Sequence, residues 1–551
     1  MKKNRILWAI LIAATVIRIF NLGAGDITGS DEVFYAFRAI GPLDFDNAPD
    51  QTTPLQWTDP NIPGWTKLSM HDHPLLVFVV QRFFMGIFGE NNFGFRLPSA
   101  ILGVLSVYLI YLIAKKMFSE KAGLIAAALT AVTVNHVYIS RLGIQESYVI
   151  FFLLLAFYLF LRALDEPKFF YWLGAALGLA FLTKYTTFIA LPIFLTYLLI
   201  FKRNAFNQRA FWIGVAIAAL IASPIFIYNL QLYRSFGHFD FQLSYIFGQD
   251  PEVWQSAPGK EQIGSLGDRA RNFLPNLAKS NSWLFLALTA ATVFYFAILA
   301  LRKDRRGIFR DKILLDIAIF WLLILILFIG PSFRFLALLT PFIAIKIAAA
   351  ADSLKKLPLV ALGIILALEA SYTKNSLIFD YPIGPEFWTW STVRFESYNW
   401  GHNELEEYFS KELAGKYPLL TFNVKYQFLK NLKEAGVATL RQKNYQPYGA
   451  MIIYDPTIHS AAQLWTLDRR QIYYGWPVIT TSQFTPAEFA AIGIHNYYFV
   501  IPDASVPHRK GAITNPDSLR LEQTLIQEGF EPILIKNKRG ETAFRVYKFN
   551  F

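Results

Sequence analysis

Residues 148–164 read YVIFFLLLAFYLFLRAL, apolar throughout until Arg162. A bilayer-crossing helix needs roughly 17 to 25 predominantly apolar residues, so this run predicts a transmembrane span. Similar runs lie at Ile6–Phe20, Leu97–Ala114, Ala122–Ile139, Phe169–Leu182, Thr186–Phe201, Ala210–Leu230, Trp283–Leu301, Ile313–Ile329, Phe335–Ala351 and Leu357–Tyr372. The fold class that follows is a polytopic α-helical membrane protein with about eleven spans. The start of the chain, Met1-Lys2-Lys3-Asn4-Arg5 before an apolar run, has the look of a signal peptide. Without a convincing small-residue cleavage site it reads as an uncleaved first span.

Composition agrees. The 551 residues are 54% hydrophobic and only 17% charged, with 17% aromatic residues that suit interfacial belts. The net charge of +12 does not point to nucleic acid, because the basic residues fall mainly between apolar runs. There they act as topology signals. Lys2, Lys3 and Arg5 precede the first span, and Lys115, Lys116 and Lys121 follow the second. Arg162 and Lys168, then Lys202, Arg203 and Arg209, come next. Arg302, Lys303, Arg305, Arg306, Arg310 and Lys312 form the densest group, and Lys355 and Lys356 are the last. All fall on one side, which the positive-inside rule makes cytoplasmic. The expected localisation is the plasma membrane, with the N-terminus cytoplasmic and the C-terminal region extracytoplasmic. The absence of cysteine excludes thiol catalysis, thiolate metal sites and disulfides.

Two domains are expected. Residues 1–372 form the membrane domain, with an outer loop at 21–96 in which Pro74–Gly89 reads as an interfacial amphipathic helix. Residues 373–551 read as a soluble α/β domain, with strand-like runs at Met451–Tyr454, Tyr497–Ile501 and Pro532–Ile535. A helix is expected there at Ser518–Glu528, capped by Asp517 or Ser518.

The outer loops carry the reactive residue types. Asp31 and Glu32 follow the first span, where a partly desolvated carboxylate suits a general base; the same pair can simply open a helix. His71-Asp72-His73 offers donors for a divalent metal, or a helix cap through Asp72. Glu146 opens a span, at a turn where a carboxylate needs water, a partner or a cavity. Arg96, Lys184 and Arg334 lie at span ends, at the depth of a lipid phosphate, where snorkelling is the other reading.

Together these stretches resemble the GT-C glycosyltransferases, in the branch of the protein O-mannosyltransferases and the lipid A aminoarabinose transferase. The resemblance runs from Met1 to about Ala350. It rests on Ser30-Asp31-Glu32, His71 to Leu75, Phe95 to Ser99, Ser140 to Glu146, Gly178 to Tyr185, and Phe333-Arg334-Phe335. It implies inverting transfer of a sugar from a polyprenyl-phosphate donor to a hydroxyl acceptor (glycan, lipid or protein) on the outer face of the membrane. Asp31, with Glu32 beside it, is implied as the base, and Glu146 as a second acid near the reaction. Arg334, Lys184, Arg96 and His73 are the candidate contacts to the donor phosphate. Asp72 with His238 is the candidate pair for a divalent metal. The aminoarabinose branch has basic residues where this chain has Phe34 and His73. The rival class is a transporter or lipid-linked sugar flippase, which predicts paired inverted halves; no such repeat is visible.

Overall fold

The computed structural model describes the chain except residues 1, 28–29, 47, 49, 257–263, 302–311, 355–358, 385–397, 486–488, 490–491, 504–513 and 551. The basic cluster from Arg302 to Arg310 and the pair Lys355 and Lys356 therefore lie outside the described residues. The chain divides into two compact units. The first comprises Met1–Gly23, Pro42–Thr53 and Gly64–Ser397; the second comprises Ala24–Gly41, Pro54–Pro63 and Tyr398–Phe551.

In the first unit each predicted apolar run lies mainly on helix among the described residues. Five helices are long and apolar enough to cross a membrane: Asn92–Met117, Glu146–Ala163, Arg209–Phe236, Trp283–Leu301 and Phe333–Ser353. The bent pair Glu120–Val132 and Val134–Arg141 makes a sixth if counted as one span. Leu76–Phe88, Phe169–Phe181, Tyr185–Phe201 and Ile313–Ile329 are shorter apolar helices. Length and composition thus identify five or six spans among the described residues, beside the about eleven that hydropathy runs suggest.

Breaks in these helices have identifiable causes. The bent pair turns by 61° at Thr133. There Arg18 supplies the hydrogen bonds that the helix ladder gives up, donating to the carbonyls of Thr130 at 3.2 Å and Ala131 at 3.0 Å. Its guanidinium also lies 2.8 Å from His136 Nδ1. Arg141 ends the second half and donates to the carbonyls of Ile17, Arg18 and Phe20, at the C-terminal end of helix Lys2–Ile19.

Helices Phe169–Phe181 and Arg209–Phe236 meet backbone to backbone through glycines. A Cβ at Gly174 would lie 2.0 Å from the Gly214 carbonyl oxygen, and one at Gly214 would lie 2.3 Å from that of Phe170. Gly174→Leu should force the pair apart and cost about 1–3 kcal/mol, read as a lowered melting temperature of the purified protein in detergent.

The second unit is α/β. A five-stranded sheet has the order β4-β3-β5-β7-β6, where β3 is Ala450–Tyr454, β4 Val478–Thr480, β5 Asn496–Pro502, β6 Ile533–Lys536 and β7 Thr542–Asn550. β3 pairs in parallel with β4 and β5, and β7 is antiparallel to β5 and β6. A separate parallel pair joins β1 (Lys416–Pro418) to β2 (Gln446–Tyr448). Alternation along β3 and β5 sends Ile452, Tyr498 and Val500 into one apolar cluster, and Met451, Tyr497 and Phe499 into another. The helix near the C-terminus spans Pro516–Gln527, and its cap is Asn515, not Asp517 or Ser518. Pro516 explains the shift: proline is preorganised for the first helical position, so the capping residue must precede it.

His402 is buried at the start of helix His402–Glu412. Burial, then the neighbouring His459, holds its imidazole down at about 3. The unfolded chain takes up this proton near pH 6.5, the native protein only near 3. This contribution is complete above pH 6.5 and shrinks as pH falls from there towards 3, by about 2 kcal/mol at pH 5. Melting curves between pH 7.5 and 5 should show the loss, and His402→Gln should flatten it.

Candidate active site

Glu146 is the first residue of helix Glu146–Ala163 and is 1% exposed. A bare carboxylate in such a place is costly, so it needs charge partners. Lys184 is one. It stands at the break between helix Phe169–Phe181 and the 3-10 turn Tyr185–Ile189, and its Nζ donates to Glu146 Oε1 at 2.7 Å. Arg334 is the other, with Nε 3.9 Å from the same oxygen. Both cations lie over the Phe335 ring, at 5.2 Å for Lys184 Nζ and 4.8 Å for the Arg334 guanidinium. Two cations against one carboxylate leave a local surplus of positive charge, the electrostatic requirement for holding a phosphate.

A second cluster forms around His71. Its backbone N–H donates to Asp44 Oδ2 at 3.0 Å, and its Nδ1 lies 2.7 Å from Asp44 Oδ1. Its Nε2 lies 3.3 Å from Asp46 Oδ2, and Asp72 Oδ1 is 3.8 Å from Nδ1. His73 Nδ1 lies 3.0 Å from Asp72 Oδ2. Burial lowers the proton affinity of His71, but the charges of Asp72 and Asp44 and the hydrogen bonds to Asp44 and Asp46 outweigh it and lift the imidazole to about 10. Asp72 does not cap the following helix: Leu76–Phe88 begins after Leu75 without a side-chain cap.

One donor atom each from Asp44, His71 and Asp72 lie within 4.8 Å of one another. Two carboxylates and an imidazole suit a small divalent cation, which would take the place of the His71 proton. This trio pairs Asp72 with Asp44 and His71, whereas the sequence points to His238 as its companion. The His238 ring packs edge-on against Trp254, whose face stacks on His71, and its Nδ1 lies 2.8 Å from its neighbour's carbonyl, that of Phe239.

The two clusters are linked through residues that sequence reading passed over. Tyr185, next to Lys184, donates its hydroxyl to Asp240. Asn229 Nδ2 donates to Asp240 Oδ2 at 2.9 Å, and the Asp240 N–H returns a bond to Asn229 Oδ1 at 2.9 Å. Burial raises the Asp240 carboxyl to about 6, against the hydrogen bonds from Leu243, Tyr185 and Asn229, with the charge of Asp72 adding to the rise. Signals existed for some of these: Asp44-Phe45-Asp46 is a close pair of acids, and Asp240 sits two residues past His238.

Arg96 is buried on helix Asn92–Met117, and its Nη1 donates to the Leu22 carbonyl at 3.3 Å. Asp31 and Glu32 belong to the second unit, in the first turn of helix Ser30–Ile40, where Glu32 is buried and Asp31 half-buried.

Residues 72–228 match the family model described as dolichyl-phosphate-mannose-protein mannosyltransferase. That stretch contains Asp72, Glu146, Lys184 and Asn229's neighbour Tyr228. That stretch is thus similar to the GT-C glycosyltransferases of the protein mannosyltransferase and aminoarabinose transferase branch. The chain is 34% identical over 164 residues to YycA of Bacillus subtilis (strain 168), whose name as a mannosyltransferase is itself provisional; the match takes in 29% of this chain and 23% of that protein. It is 28% identical over 241 residues to the undecaprenyl phosphate-alpha-4-amino-4-deoxy-L-arabinose arabinosyl transferase of Pseudomonas savastanoi pv. phaseolicola (strain 1448A / Race 6), covering 42% of this chain and 40% of that protein. The chain thus spans less than half the length of these curated relatives. The crystal structure of ArnT from Cupriavidus metallidurans bound to undecaprenyl phosphate shares the fold, with a TM-score of 0.55 over 98% of this chain and 97% of that one at 14% identity.

The Glu146–Lys184 pair can be tested by charge balance. Lys184→Met leaves a buried carboxylate facing Arg334 alone and should cost about 3–5 kcal/mol. Adding Glu146→Gln removes the stranded charge, so the double variant should melt closer to the parent than Lys184→Met does.

Proposed function

We propose that this chain is an integral-membrane glycosyltransferase that moves a sugar from a polyprenyl-phosphate carrier to a hydroxyl acceptor, with inversion, on the outer face of the plasma membrane. The observation that carries this reading is the buried Glu146 met by Lys184 and Arg334 at the ends of apolar helices. A lipid-linked phosphate reaches a protein at the ends of its spans, and its departure as a leaving group needs positive charge. The family match over residues 72–228 and the ArnT fold support the same reaction class.

Asp31 takes the proton of the acceptor hydroxyl. The freed oxygen attacks the anomeric carbon, the bond from that carbon to the phosphate oxygen breaks, and polyprenyl phosphate leaves with the electron pair. Lys184 and Arg334 neutralise the charge that grows on it. Glu146 fixes the Lys184 ammonium and keeps it from snorkelling away. Asp44, His71 and Asp72 would hold a divalent cation, which when bound supplies further positive charge for the leaving phosphate. Arg96, whose Nη1 donates to the Leu22 carbonyl, and His73 are further candidate contacts to the donor phosphate. The donor sugar is a hexose or a pentose.

The test is a donor screen with the purified full-length protein in lipid nanodiscs. Undecaprenyl-phosphate mannose and undecaprenyl-phosphate aminoarabinose serve as first donors, each with and without chelator, and released undecaprenyl phosphate is the readout. Turnover is expected with one such donor. Asp31→Asn should lower kcat by about 10²–10⁴-fold in a protein that still folds. Full turnover in that variant would remove Asp31 from the mechanism.

A further inference from the structure

Asp26 is an acid buried to 1% exposure, four residues ahead of helix Ser30–Ile40. Its carboxylate sits in a cradle of successive backbone amides at the start of helix His402–Glu412. Oδ2 accepts from the N–H groups of Trp400, Gly401 (3.0 Å) and His402 (3.2 Å), and Oδ1 from Asn403 (2.9 Å). Gly401 makes the cradle possible: its φ of +95° is left-handed, and a Cβ there would lie 2.3 Å from that of Ala543. Converging N–H groups at a helix start are a strong carboxylate site. The side chains of Asn403 and Lys538 each donate to the Ala24 carbonyl at 3.0 Å, which extends the anchor.

The other end of the helix is held as well. The Tyr473 hydroxyl donates to the Phe37 carbonyl at 2.8 Å, and the two rings lie 5.0 Å apart. From Asp31 to Ile40 every side chain is buried except Asp31 and Phe34. These are i and i+3, so they share one face of the helix. Glu32 is buried, and Asp31 is the acid left accessible.

We infer that Asp26 is a positioning residue: it seats helix Ser30–Ile40 on the C-terminal region of the chain, and so sets where Asp31 presents its carboxylate. The C-terminal region is then part of the catalytic apparatus, because it holds the helix that carries the base. This deepens the function proposed above and rests on Asp31 being the base.

Two readouts in the full-length protein test it. Asp26→Asn keeps the shape and removes the charge that the amides hold. Amide hydrogen exchange in the segment 30–41 should speed up at least about tenfold, with exchange in Leu76–Phe88 unchanged. With the donor that the screen identifies, kcat should fall about 10–100-fold while the donor KM stays within about twofold. In an Asp31→Asn background, Asp26→Asn should add no further loss of rate, which a general loss of stability would not reproduce. Tyr473→Phe removes one neutral hydrogen bond at the far end and should give the same pattern with a smaller loss, so the test survives if the Asp26 variant folds poorly. Unchanged exchange in 30–41 in Asp26→Asn, or in Tyr473→Phe should the first not fold, overturns the inference. If Asp31→Asn itself keeps full turnover, the base assignment fails instead, and the exchange result still decides whether Asp26 anchors the helix.

Discussion

The constraint on which this structure depends is that a charge taken into apolar surroundings must be met there. Glu146 at the head of a membrane-length helix is tolerable because Lys184 donates to it at 2.7 Å and Arg334 stands 3.9 Å away. Each of the three comes from a different helix end: the start of Glu146–Ala163, the break after Phe169–Phe181, and the opening of Phe333–Ser353. Their attraction therefore also fixes the mutual placement of three helices at the level where they start or stop.

The same requirement shapes the rest of the first unit. Arg18 is fully buried, and it meets its need for acceptors by taking the carbonyls that a bend in the helix at Thr133 sets free. Arg141 does likewise with the carbonyls that end helix Lys2–Ile19. Around His71 the sign is reversed. Three carboxylates stabilise one imidazolium, an arrangement that a divalent cation could inherit with little rearrangement of its donors. Burial withholds water from these groups, so the protein itself must supply their charge partners and acceptors.

Charge balance also separates the roles of the acids. Glu146 is held by its two cations. Asp44, Asp46 and Asp72 share one histidine. Asp240 is held by Tyr185, Asn229 and the Leu243 N–H and ties the Lys184 turn to the loop of His238. Asp26 is consumed by backbone amides. Asp31 is half-buried on a helix whose other face is packed. The proton transfer proposed for it requires a group that is reachable as well as basic.

By itself the sequence determined the helical membrane class, the positions of the apolar helices and the α/β character of the C-terminal region. These are set by local pattern: long apolar runs form helices, and short continuous apolar runs such as Met451–Tyr454 form buried strands. It also marked Asp31, Asp72, Glu146, Lys184 and Arg334, since a charge beside an apolar run is conspicuous without any knowledge of the fold. Only the tertiary structure decided who meets whom. Glu146 joins Lys184 and Arg334, His71 takes Asp44 and Asp46, and Asp26 finds its amides some 375 residues further along. The capping residue Asn515 and the bend at Thr133 were likewise hidden, the first by a proline one place on, the second by an arginine from another helix. Such pairings follow from the packing of distant segments, and no local pattern of residues encodes a partner that lies hundreds of positions away.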